Sequence, residues 1–598
     1  MNRLSNIATS RDLPCRRRRL ARAAAIAGLA GLMGCGSGGG GTPIGDLICR
    51  GQGVVVGGKV TFVKRLYSPQ GLTGERIIKP VRYGAVEIVR EVDGSVVATT
   101  FTDKNGSYCT DIPTLTSFST VYPRVASRTD PQKFKIVVTS DNVELYSRPG
   151  DPFDASKPGV NKRDFPLPLM VQLSGGVAYP FSGAFNIMDV LTTGAEKAVA
   201  LTGQAPAEQL YGVWRPGTFF GDGTFGTYFG GDEQTGDAFI VLSGGDGGGP
   251  DNGDHDEYDD DVILHEFGHF MAYSFSKPAE IGGAHYLNDN SQDIRLAWSE
   301  GWATFLSAAI RESPVMVNTY AGDPGSPNRG LSYAFDIEKP YSAVLTGIGT
   351  PLEDYGTYTT SEIAVAAVLW DLLDGYGEGG DVSAEGLQRV WQIMSRFRTV
   401  PPPTGTLESF AGYFKDLFGP TSFSNFATTA TLRKIEFVPD AYESRPDDVM
   451  VSAPDAGLAP TCHTLYPAGD VDYVKFTVDV PRSVKVETFN LSNGADTFLQ
   501  IVNATGAVVV VSTVKVENDD AAIPKTVQLG VCNRAVPLPA FYRDMGVNNG
   551  ERLASTVVFD AQPGPYYARV TASLKGPSAG AGTMGSYGLL VTLEAPLP

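Results

Sequence analysis

Helical periodicity in this 598-residue chain is confined to one central stretch, from about 171 to 435, and the flanking stretches lack it. Within it, FNIMDVLTTGAEKAVAL, DDDVILHEFGHFMAYSF, LAWSEGWATFLSAAIRES and SEIAVAAVLWDLLDGYG repeat apolar residues at i, i+3, i+4 and i+7. An apolar run from Ala238 to Leu242 precedes the second of these and reads as a strand, so the stretch predicts helices packed beside a small sheet, an α+β core. On both sides the period drops to two. AVEIVREVDGSVVATTFTDKNGSYCTDIP reads as strand, DG turn, strand, NG turn, strand. DYVKFTV, SVKVETFNL, TFLQIV, YYARVTA and YGLLVTL do the same near the other end. A chain this long exceeds one core. The expected fold is multidomain: a β-sandwich over 51–170, an α+β catalytic-type core over 171–435 and a second β-sandwich over 436–598.

Residues 1–35 read as an export signal rather than as part of a fold. RRRRLAR is a basic opening, AAAIAGLAGLM is an apolar run of 11, and LMGC ends at Cys35. Eleven residues are too few to span a bilayer. Residues 36–50 then form a Gly-rich flexible linker. With Cys15 and Cys35 set aside, four of the six cysteines remain in two separated pairs, Cys49 with Cys109 and Cys462 with Cys532. No CxxC occurs, so structural disulfides in an oxidising compartment are expected. The net charge of -18 argues against nucleic-acid partners.

The chemistry concentrates in HEFGH. Positions i and i+4 of a helix share a face, so the imidazoles of His265 and His269 can converge on one ion, about 2.0–2.1 Å from each. Glu266 follows about 100° round the helix, able to hold a water without ligating the metal. Asp259, Asp260 and Asp261 open the helix and suit its dipole. Gly268, unfavourable in a helix interior, predicts close approach of a neighbouring strand or a substrate. A third ligand is expected from Glu300, 31 residues past His269 and the one carboxylate of the apolar helical stretch LAWSEGWATFL. The other reading of Glu300 is a solvent-facing side chain or a pair with Arg295. His285, in the loop EIGGAHYLND, is the first candidate to donate to an oxyanion, and Tyr286 the second. A fourth, accessory metal ligand is the rival role for His285, and a plain loop histidine is the third possibility.

Three resemblances follow from these residues. HEFGH with SEGWA is similar to the gluzincin peptidases, which implies His265, His269 and Glu300 as zinc ligands and Glu266 as general base. The chain departs from that pattern in its longer spacing to the Glu, and in Thr304, which stands where that family often carries a histidine-orienting aspartate. Thr102, Asp103, Gly106 and Tyr108 resemble the T-D-x-x-G-x-Y turn of carboxypeptidase-regulatory-like modules, which implies a stalk or spacer at 51–170. GDVDYVKFTV through NGADTFLQIVNATGAVVV to PGPYYARV and GSYGLLV resembles bacterial pre-peptidase C-terminal (PPC-like) domains, β-sandwiches appended to secreted proteases. LMGC resembles a lipobox, which implies acylation of Cys35 and the cell envelope, with simple secretion as the alternative.

The expected function is an exported zinc metallopeptidase, its partner a protein or peptide substrate, with membrane attachment only through a lipid at Cys35. The alternatives are a surface binding or adhesion lipoprotein with a structural or inactive core, and a metal site that hydrolyses something other than peptides. The acid- and glycine-rich segment 246–261, with His255, is expected to be a solvated loop, with Ca²⁺ binding as its other reading. His463 reads as a surface residue, and Asp371 in LWDLLDG as a support of the site.

Overall fold

The computed structural model describes residue 49 and most of 51–597; the longer stretches left out are 1–48, 218–225, 246–253, 277–284, 320–331, 339–360, 375–384, 438–448, 520–553 and 574–584. The signal-like segment, Cys35, the Gly-rich linker, Tyr286 and Cys532 therefore lie outside the described residues.

The chain is multidomain and rich in β-sheet, with its described α-helices confined to Gly183–Ala430. Its first strand, Val54–Ser68, is 15 residues long. It forms a hairpin with Gly71–Pro80 through its second half and pairs with Ser107–Ile112 through its first. A disulfide joins Cys49 to Cys109, with Cα atoms 5.7 Å apart. Cys462 is also disulfide-bonded. The turn at 102–108 closes as its residues predict: Asp103 accepts from the backbone N–H groups of Asn105 and Ser107. Gly106, at φ 79°, lies where a Cβ would come within 2.5 Å of the Val60 carbonyl.

The expected division at 170 is not a break in the sheet. One sheet runs through strands Tyr228–Asp232, Asp237–Leu242, Gln209–Trp214, Ile136–Thr139, Thr120–Thr129, Gly84–Arg90 and Val96–Phe101. Ile136–Thr139, from the N-terminal module, lies parallel to Gln209–Trp214, from the central region. A single apolar core likewise runs from Val54 and Phe62 through Phe185 and Phe267 to Val365 and Phe410. The N-terminal module is thus part of the central unit, and the spacer reading is corrected: the parallel pairing buries strand edges that a free-standing sandwich would expose.

Among the described residues six α-helices follow: α1 (Gly183–Thr202), α2 (Asp260–Phe275), α3 (Ile294–Arg311), α4 (Glu362–Asp374), α5 (Gly386–Thr399) and α6 (Leu407–Ala430), the last broken at Gly419 ahead of Pro420. The N-terminal strands clamp two of them. Lys64 pairs with Asp260 at the start of α2, and Tyr67 donates to Asp261 at 2.5 Å. Arg311, at the end of α3, meets the other oxygen of Asp261 at 2.5 Å. Lys79 and Arg82 both bind the buried Asp189 of α1, and Arg82 reaches Glu196 as well. Asp261 therefore ties a strand and two helices together at one buried carboxylate.

The C-terminal region has its own core, built by two four-stranded sheets. Thr461–Thr464, Ser586–Pro596, Arg482–Ser492 and Thr556–Ala561 form one, and Val471–Val478, Gly564–Ala572, Thr497–Asn503 and Glu517–Asp519 the other. All these pairings are antiparallel, and Val474, Val486, Leu499 and Val570 fill the space between. His463 is buried here rather than at the surface: it stacks on Tyr587 and lies 2.8 Å from the Thr461 hydroxyl. Among the described residues no helix is long and apolar enough to cross a membrane.

Two outcomes follow from the shared sheet and the Asp261 clamp. Residues 171–435 expressed alone should give no cooperative thermal transition, whereas 49–437 should. Asp261→Asn, which leaves Arg311 without its buried partner, should lower stability by about 3 kcal/mol in urea unfolding of the full chain.

Candidate metal centre

Helices α2 and α3 run antiparallel in close contact, and the pairings along them follow residue by residue. Ser307 donates to the Asp261 carbonyl at 2.8 Å, Thr304 meets His265, and Trp302 donates to the Gly268 carbonyl at 3.1 Å. Gly268 permits this. A Cβ there would sit 2.7 Å from the Ala303 Cα, so the element it admits is a helix, not the strand or substrate expected. The result sets the His265–His269 face of α2 against Glu300 of α3.

Glu300 Oε2 lies 3.0 Å from His265 Nε2 and 3.3 Å from His269 Nε2. It is buried. Burial by itself raises its pKa, but His269 and His285, with hydrogen bonds from His265 and His269, outweigh that and hold the carboxyl well below the ordinary glutamate range. Ligand atoms of His265, His269 and Glu300 all lie within 4.8 Å of one another, and they are the one such group of three among the described residues. Two imidazoles and a carboxylate so placed fit a divalent ion with three protein donors and an open position. The reading of Glu300 as solvent-facing is thereby set aside.

Both imidazoles are oriented from behind. With Nε2 facing the site, Nδ1 carries the proton; for His265 it lies 3.1 Å from the Thr304 hydroxyl, and for His269 it lies 3.3 Å from the Ser299 hydroxyl. Thr304 stands where the resemblance leads one to expect an aspartate, and its hydroxyl faces the same nitrogen. Phe229, on the strand Tyr228–Asp232, stacks on the His269 ring with centroids 6.2 Å apart. Neither Ser299 nor Phe229 carries a signal in the sequence alone, because each depends on which residue of a partner element comes opposite.

Glu266 is buried beside the triad. Burial raises its pKa, while His265 and His269 draw it down and Glu300 pushes it up; the net direction is upward, as suits a group that takes and returns a proton near neutrality. His285 reaches the same place, its Nε2 3.6 Å from Glu300 Oε2. Its Nδ1 lies 2.9 Å from Glu362, at the start of α4. Asp371 pairs with the buried Arg433 at 3.3 Å.

The segment expected to be a solvated loop is, in its described part, buried. His255, Asp256, Glu257, Asp259 and Asp261 are all fully enclosed. An antiparallel bridge joins Gly244 to His255, and Asp259 accepts from both the N–H and the hydroxyl of Thr319. The local polarity reads as loop, but long-range pairing decides. The acidic groups here do not form a second three-donor cluster among the described residues. Burial pushes Asp254 up to about 6, opposed by His255, and it also raises Asp256 and Asp259, which repel their acidic neighbours.

No protein-family profile matches the chain. It is similar to an uncharacterized protein of Archaeoglobus fulgidus, 32% identical over 117 residues, which is 19% of this chain and 28% of that one. The chain thus spans little more than a quarter of that relative's length. Among solved structures it is similar to the pre-peptidase C-terminal domain of a collagenase from Bacillus anthracis, at 13% identity and a TM-score of 0.14, covering 22% of this chain and 88% of that one.

Two measurements probe this geometry. Thr304→Val should weaken binding of a divalent metal roughly tenfold in competition with a chelating indicator, and Thr304→Asp should restore it. The buried aspartates bind protons more tightly folded than unfolded, so their contribution to stability is complete below the ordinary carboxylate range and is lost as pH rises through about 6. Urea midpoints should accordingly fall between pH 5 and pH 8, and Asp256→Asn should flatten that slope.

Proposed function

We propose that the chain is an exported zinc-dependent peptidase, and the observation that carries this is the convergence of His265, His269 and Glu300 with Glu266 beside them. His265 and His269 would hold the ion through Nε2 and Glu300 through a carboxylate oxygen. When bound, zinc supplies Lewis acidity, acidifying a water and polarising a carbonyl. Glu266 takes the water's proton and delivers it to the departing amine. Its raised pKa brings it closer to the range in which both transfers are efficient. His285 faces the same space and donates to the oxygen on which charge develops. Phe229, stacked on His269, limits how that ring can turn.

The Cys49–Cys109 disulfide supports an oxidising, extracytoplasmic location. The lipobox-like ending at Cys35 supports attachment by a lipid. The two-sheet C-terminal region, with its separate core, supports a PPC-like module that presents the peptidase to protein substrates. Calcium is left without support, since the acidic segment brings no three donors together among the described residues.

Purified protein should carry one zinc per chain by mass spectrometry and hydrolyse a mixed peptide library, both lost on chelation. Glu266→Gln should keep the metal and lose at least about a hundredfold in kcat. Glu300→Ala should lose the metal. Metal bound with no turnover of any peptide would support instead a binding protein with a structural core, and unchanged hydrolysis by Glu266→Gln would remove the general base.

A further inference from the structure

The first residue of α4 stands out once the site is assembled. Glu362 is buried, and its Oε2 lies 2.9 Å from Nδ1 of His285. An acidic residue in a first helical turn ordinarily serves the helix dipole or the cap. Here the cap is already supplied: the Ser361 hydroxyl accepts from the Ala364 N–H at 3.3 Å. Glu362 instead turns its carboxylate toward the loop that carries His285.

Helix packing brings it there. A Cβ at Gly301 would lie 2.6 Å from the Val365 Cβ and 2.7 Å from the Glu362 carbonyl, so α4 can approach α3 this closely only because residue 301 has no side chain. Gly301 follows Glu300 directly. Two carboxylates, one on each helix, are thereby held at the two nitrogens of a single imidazole: Glu362 at Nδ1, 2.9 Å away, and Glu300 at Nε2, 3.6 Å away. His285 nevertheless does not belong to the group of three donors that lie within 4.8 Å of one another.

We propose that Glu362 is a positioning residue: by accepting the Nδ1–H of His285 it fixes the tautomer and plane of that ring, so that Nε2 faces the space in front of His265, His269 and Glu300. Nδ1 then carries the proton whatever the state of Nε2. The loop histidine gains the rotational restraint that a side chain on irregular backbone otherwise lacks, and Gly301 sets the distance at which the restraint acts. The role assigned to His285 rests on the peptidase reading. The coupling of Glu362 to His285 does not.

The test uses the full chain with ¹⁵N-labelled histidine. Two-bond ¹H–¹⁵N spectra of the five histidines should show His285, assigned by its loss in His285→Ala, protonated at Nδ1. Glu362→Met keeps the length of the side chain and removes the acceptor; His285 should shift to a mixed tautomer, while Glu362→Gln, which retains an acceptor oxygen, should stay close to wild type. In the zinc-loaded protein Glu362→Met should lower kcat roughly 10- to 100-fold with KM within about threefold and metal content unchanged. The double variant with His285→Ala should lose no more than His285→Ala alone. An unaltered His285 signal in Glu362→Met overturns the proposal, as does a loss of kcat that adds fully to that of His285→Ala. If the wild-type chain holds no zinc and cleaves no peptide, the peptidase reading falls, and the spectra of the metal-free protein still decide whether Glu362 sets the His285 ring.

Discussion

Glu300 is an ionised carboxylate in a helix interface, and its charge dictates what has to surround it. Removing a carboxylate from water costs several kcal/mol unless opposite charge and hydrogen bonds replace the lost hydration. Here the replacements are imidazoles at 3.0, 3.3 and 3.6 Å. Two of them belong to one face of α2, which has to approach α3 closely, and Gly268 against Ala303 makes that approach possible. The third arrives on a loop and is held by a carboxylate of α4, whose approach depends on Gly301. One buried charge thus sets the spacing of three helices, and the two glycines mark where helix surfaces press closest.

The same logic explains why the N-terminal module is inseparable from the central unit. Asp261 is fully buried one turn before His265, and a carboxylate there needs donors from outside its own helix. Tyr67 from the first strand and Arg311 from the end of α3 provide them. Strand Ile136–Thr139 then extends the sheet on which α1 lies. A module whose turn chemistry resembles a spacer instead braces the helices around the site, because one of its strands pairs with the central unit and its basic side chains bind acids there.

What the sequence disclosed and what it withheld divide along the range of the interactions. His265, Glu266 and His269 were legible because i, i+4 geometry is fixed by the helix itself. Glu300 was legible because a carboxylate in an apolar helix calls for a partner. Helices α1 to α4 and the strand read at 238–242 followed from periodicity, and their observed ends differ by up to three residues, whereas α5 and α6 were not marked out. Ser299, Thr304 and Glu362 were not assignable: a hydroxyl or a first-turn acid looks the same whether it faces solvent or a histidine, and only the register of a partner helix decides. His255 and His463 were read as surface residues because Asp, Gly and Thr around them signal loop locally, whereas a bridge to Gly244 and a strand pairing with Tyr587 bury them. The continuity of the sheet across residue 170 has no local signature, since it joins residues about 70 apart in sequence.

The acidic residues that open α2 pose a last electrostatic question: why so many negative groups beside a centre whose own carboxylate must stay ionised. The answer lies in where each is neutralised. Asp260 and Asp261 are paired with Lys64 and Arg311, so their charge is cancelled before it extends along the helix. Asp254, Asp256 and Asp259 have their pKa values pushed upward chiefly by burial, with acidic neighbours adding to it, so protons reduce the charge they present. The imidazoles are left to answer to Glu300, whose pKa moves in the opposite direction on the same helix pair. Lys64 and Tyr67 therefore act on the site at a distance: they bind the two aspartates that open α2 and so hold that helix in place.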